Sequence, residues 1–143
     1  MSYMVSDSVV MTADGTTLIT DYTATMNGEI VAVGFYNSAS EIPTTFTLAV
    51  TVADSGYTIL ESVALSSSLS WNWYYPRANI HNTTGSALDY GTTGNASVTP
   101  IQAERFPVAG ERIKAVIAGT SAITANLAGT FKVIVEGSRV GGS

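Results

Sequence analysis

The chain has no cysteine, which excludes disulfides, thiol nucleophiles and thiolate metal sites together. Stability must come from packing or from association. Charge is also scarce: Asp, Glu, Lys and Arg make up 12% of 143 residues, about half of the ~25% usual in soluble proteins. Basic residues are missing altogether from positions 1–76, which carry seven acids; all six Lys and Arg lie in 77–143 beside four acids. Scattered bases on a net −5 chain make a poor nucleic-acid surface, because that affinity needs clustered Lys and Arg. The two halves invite two readings. In one they interleave inside a single sandwich; in the other an acidic half meets a basic half between subunits. No apolar run approaches the ~18 residues of a membrane helix. The start, MSYMVSDSVV, lacks the basic-then-apolar layout of a signal peptide, so the chain is expected to be made and kept soluble without cleavage.

The place of charge is taken by Thr, Ser, Gly and Asn, with apolar residues at 45%. A charge-poor, hydroxyl-rich surface suits one partly covered by other subunits, since charge is depleted at interface cores. It equally suits an extracellular-type β domain.

The period is that of strands. Ile113, Ala115 and Ile117 alternate with Arg112, Lys114 and Val116, and Phe131, Val133 and Val135 alternate with Lys132, Ile134 and Glu136. These two strands are joined by the small-residue segment Gly119–Gly129 and form the closing pair of the chain. Phe46, Leu48, Val50 and Val52 alternate as cleanly, and Asp54-Ser55-Gly56 supplies the turn after them. Thr17–Met26 and Glu29–Tyr36 alternate on either side of Asn27-Gly28, a dipeptide that predicts a type I′ hairpin. Ile59, Leu60, Val63 and Leu65 fit a strand or a helical turn. Ser70–Tyr75 reads as a strand ended by Pro76. Residues 76–107 hold three of the four prolines and little pattern beyond short strands at Ser97–Ile101 and near Arg105, as in a functional or mobile connection. The expected fold is all-β with little helix: an antiparallel β-sandwich over 16–143, jelly-roll-like or immunoglobulin-like, preceded by an N-terminal arm, Met1–Gly15, with a short strand at Ser8–Thr12.

The loudest chemical feature is Trp71-Asn72-Trp73-Tyr74-Tyr75-Pro76-Arg77. On a strand Trp71, Trp73 and Tyr75 share one face. With Arg77, that row fits a core stripe, a subunit anchor or a platform for sugar rings. His81 is the only histidine and has no positioned partner in sequence. Loop oxygens near Asp54, Asp89 or Asn95 could surround calcium, although Asp and Asn at turns serve turn geometry first. Glu104 and Glu111 flank Phe106-Pro107 without a second acid paired to either. Asn82-Thr83-Thr84 and Asn95-Ala96-Ser97 match the glycosylation pattern by composition alone. No phosphate loop or nucleophile elbow is present, so the expectation is a protein that is not an enzyme and holds no cofactor or metal.

The cysteine-free Thr/Ala/Gly/Ser-rich β composition, the short N-terminal arm, and the strands Gly110–Gly119 and Gly129–Gly137 together resemble small virion structural proteins of tailed bacteriophages, of the capsid decoration (cement) type. That resemblance implies a structural protein, made in the host cytoplasm and located in the virion. It would bind the major capsid protein and copies of itself, commonly as a homotrimer, with no nucleic acid or membrane among its partners. The alternatives are a carbohydrate-binding β-sandwich for attachment, with glycan as the ligand, or a phage tail or fibre component. On the cement reading the arm orders only against a partner.

Overall fold

In the computed structural model, residues 2–13, 15–37, 42–43, 45–65, 71–79, 83–85, 89–90, 99–100, 102–122 and 127–138 are described. The chain is an antiparallel β-sandwich, with no helix among those residues. The larger sheet contains β1 (Ser2–Ala13), β13 (Leu127–Ser138), β3 (Met26–Asn37), and two short strands on the far side of β3, namely β11 (Pro107–Glu111) and β6 (Trp71–Tyr74). The smaller sheet runs β2 (Leu18–Tyr22), β12 (Ile113–Ala118), β4 (Thr47–Val52), β5 (Thr58–Ala64). Two-stranded pieces, β7 (Ala78–Asn79) with β10 (Gln102–Glu104) and β8 (Asp89–Tyr90) with β9 (Thr99–Pro100), lie between β6 and β11 in sequence.

The pairing is nested. β4 pairs β5, β3 pairs β6 and β11, β2 pairs β12, and β1 pairs β13. The chain is thus one long hairpin folded over itself, which is the strand order of a jelly roll with its sixth strand split into β6 and β11. Nesting also answers the charge question. The base-free half supplies β1–β6, and β11, β12 and β13 of the other half pair with β3, with β2 and β4, and with β1 and β3, so the halves interleave within one sandwich. The bases do not mainly meet the acids. The one ion pair among the described residues, Arg105 with Glu136, lies within the second half, and Arg112 sits over the Tyr22 ring at 4.3 Å.

Alternation predicted the core correctly wherever a strand is straight. Leu48, Val50 and Val52 of β4, Ile113, Ala115 and Ile117 of β12, and Phe131, Val133 and Val135 of β13 are all buried, as is Phe46 just before β4. Ile59 is buried too, and the ambiguous run after Tyr57 is strand β5. The turn after β4 is where it was expected, with Gly56 at φ 77°.

Three expectations are corrected. First, Asn27-Gly28 is not a hairpin turn. β2 is held past its end by Thr23, whose N–H donates to Ile113 O (2.9 Å) and whose hydroxyl accepts from Ile113 N–H (3.0 Å), and only Ala24 and Thr25 separate it from β3 in the other sheet. Gly28 sits inside β3 opposite Val108. Its φ is 134°, and a Cβ there would lie 2.3 Å from the Glu136 carbonyl oxygen. Glycine is needed for close approach to β13, not for a turn. Second, β12 and β13 do not pair with each other: they belong to opposite sheets. Third, the segment read as an arm is a twelve-residue strand. It pairs with β13 without a register shift from Ser2 opposite Ser138 to Ala13 opposite Leu127, and it buries Met11 and Ala13. It orders against its own chain.

Candidate functional site

The outer face of the larger sheet carries the aromatic side chains. The register of four strands sets two rows across it: Val10, Thr130, Tyr36 and Trp71 in one, and Ser8, Lys132, Gly34 and Trp73 in the next. Trp71 and Trp73 stack, with ring centroids 5.3 Å apart and planes at 19°. Tyr36 closes on Trp71 at 5.7 Å and 39°. Gly34 makes this possible, because a Cβ there would stand 2.6 Å from the Trp73 ring. The missing side chain is the shelf on which Trp73 rests. Lys132 is the only charged residue in the two rows, and its Nζ lies 6.0 Å from the Trp71 ring centre, at the outer limit of a cation–π contact.

Of the residues expected in the row, Trp71 and Trp73 share a face, Trp71 at 37% exposure and Trp73 half-buried. Tyr75 does not join them. It lies beyond the end of β6, 64% exposed, beside Pro76, Arg77 and the Ile59–Val63 stretch of β5. The third ring is Tyr36, contributed by β3 through cross-strand pairing that sequence does not display. Its only local sign is its place in the outward series Ala32, Gly34, Tyr36.

Arg77 has a different duty. Between β6 and β11 no strand among the described residues lies against the edge of β3 at Val31. The Arg77 guanidinium donates from Nη1 to Val31 O (3.2 Å) and to Pro76 O (2.7 Å), while Ile30 N–H donates to Phe106 O (2.9 Å). A side chain and a loop carbonyl thus replace the missing ladder. Arg77 supports the edge of the sheet through these bonds to backbone carbonyls.

The carboxylates considered for catalysis are apart. Glu104 is exposed in β10. Glu111, at the end of β11, clamps the β4–β5 turn: it accepts from Ser55 Oγ (2.6 Å), Ser55 N–H (2.6 Å) and Asp54 N–H (3.1 Å). The Ser55 hydroxyl first, and then the backbone N–H groups, hold this carboxyl below the usual carboxylate range. Nearby, burial and then the Glu111 charge push the Tyr57 phenol up, with its ring stacked on Phe106 at 5.7 Å. Among the described residues no group of three or more His, Cys, Asp or Glu is placed to hold a metal ion. His81, Asn82 and Asn95 lie outside the described residues.

No family model and no curated protein matches this chain. A solved structure, that of FLHE, is similar with a TM-score of 0.46 and 12% identity, over 96% of this chain and 98% of that one. A likeness at that level carries nothing across about role.

Proposed function

We propose that this protein is a non-enzymatic structural subunit that works by contact. In the setting implied by the phage resemblance, it decorates and stabilises an assembled capsid, with the major capsid protein as partner. The observation that supports contact is the Val10–Thr130–Tyr36–Trp71 row with Trp73 beside it, an aromatic and aliphatic surface spanning four strands with a single charge. Trp, Tyr and apolar side chains around one cation are the composition of an interface centre. The rings also stack on one another, and Trp73 rests on Gly34. Fewer open ring faces remain than a flat sugar platform would present.

The second reading, attachment to a glycan, is favoured by one feature: Ser8, Thr130 and Lys132 supply hydrogen-bonding groups beside the exposed Trp71. A titration of Trp fluorescence against simple glycans separates the two. On the contact reading, no saturable shift appears, and Trp71→Ala keeps a cooperative unfolding transition, at a modest cost for its lost ring contacts, while abolishing retention on assembled shells. A saturable glycan shift that Trp71→Ala removes replaces the contact reading with the attachment one.

A further inference from the structure

Among the described residues, six of the eight exposed large apolar side chains, namely Tyr3, Met4, Val5, Val10, Leu18 and Tyr22, lie on β1 and β2. These are the edge strands of the two sheets, and they stand on the same side of the sandwich, where the Asp7 carboxylate of β1 accepts from Ala24 N–H just beyond β2 (2.7 Å). Met4 is 60% exposed, Val10 64% and Leu18 56%. Of the devices that protect an edge, β1 carries one inward-pointing charge, Asp7, whose carboxylate is taken up by Ala24 N–H. It has no Pro, no Lys or Arg, no bulge against β13, and no second charge in twelve residues. Among the described residues, β13 is its only strand partner. A long, straight, apolar edge of this kind is a template for another strand.

We infer that the β1 edge pairs antiparallel with the β1 edge of a second copy, joining the two five-stranded sheets into one across a two-fold axis. Three points select a second copy. The two edges match in length and straightness by identity, and a two-fold contact closes without leaving a further edge to propagate. The area suffices: a 12-residue strand is ~40 Å long and a sheet ~10 Å thick, so with the five-residue β2 edge the pair would cover somewhat over ~1,000 Å² in both copies, the lower end of specific interfaces. The third point is fit. Directly opposite residues share a face, so the longest register that keeps the two Asp7 side chains from facing each other centres on Ser8. It sets Val10 against Ser6, Asp7 against Val9, and the inward-facing Tyr3 and Val5 of one copy against Ala13 and Met11 of the other, beside its β2. Those two side chains are exposed in the single chain.

The inference does not depend on the shell reading, and its test is separate. Because the chain has no cysteine, each single-cysteine variant carries one thiol. On mild oxidation of the folded protein, Ser8→Cys is expected to give a disulfide-linked dimer, while Ser6→Cys and Val10→Cys stay unlinked. Light scattering of the unaltered chain across a wide concentration range should show a monomer–dimer equilibrium. The double substitution Met4→Lys, Val10→Lys should move its midpoint up by about tenfold or more, with the unfolding transition intact. Trp71→Ala should leave the dimer unchanged. A monomer at all concentrations, a trimer, a dimer that Trp71→Ala disrupts, or a Ser8→Cys variant that does not cross-link would each overturn it.

Discussion

The two edges of the five-stranded sheet are finished in opposite ways. On one side β3 is flanked by two short pieces, β11 and β6. The register of β11 is broken by a shift between Ala109 and Glu111, and the gap at Val31 is filled by Arg77. On the other side β1 is one unbroken strand of twelve residues whose open edge carries exposed Met4 and Val10. Shortness, bulges and charged fillers are how natural sheets keep edges from pairing. One edge has all of them and the other has only the inward-pointing charge of Asp7. The same sheet therefore shows what a sealed edge requires and what an edge available to a partner looks like.

Removing residues 1–15 should break this comparison most severely. It strips β13 of twelve paired residues and uncovers the core around Met11, so the cooperative unfolding transition should be lost, as read by circular dichroism and amide dispersion in NMR. A truncated chain that keeps a sharp transition would restore the arm to an accessory. Gly28→Ala should come next, at about 3 kcal/mol or more. Its Cβ meets the backbone of β13, which cannot swing aside, at the point where β3 passes between β13 and β11. Gly34→Ala meets the Trp73 ring first, a side chain that can move, so denaturant titration should find it the milder of the two.

Arg77→Ala tests the sealed edge. It leaves Val31 O without its donor and should cost about 1–2 kcal/mol by the same titration. A neutral result would mean that the gap needs no filler. The smallest effect concerns the turn that β11 clamps. The folded Glu111 pKa lies below its unfolded value, so its contribution is present above the unfolded carboxylate range and fades as pH falls through the folded value. Melting temperature from pH 7 down to 3 should therefore drop more steeply for the natural chain than for Glu111→Gln, with the two curves converging at the acid end.

Period-two alternation is a local property, and it predicted the inward faces of β4, β12 and β13 residue by residue because a half-buried strand must place every second side chain in the core. The turn at Asp54-Ser55-Gly56 was legible because its residue types favour a turn locally, although the Glu111 clamp on it was not. Asn27-Gly28 misled because glycine answers two needs, a positive φ in a turn and close approach of a neighbouring backbone, and composition does not separate them. The arm was underestimated because a weakly patterned edge strand owes its order to a partner more than a hundred residues away. The same distance hid the candidate site. Trp71 and Trp73 were visible as neighbours on one strand, whereas Tyr36, Lys132 and the Gly34 shelf reach them only through pairing of β6, β3 and β13. Which faces are apolar is written residue by residue along the chain. Which faces meet is settled by nesting one half of the chain on the other, and that depends on contacts between residues far apart in sequence.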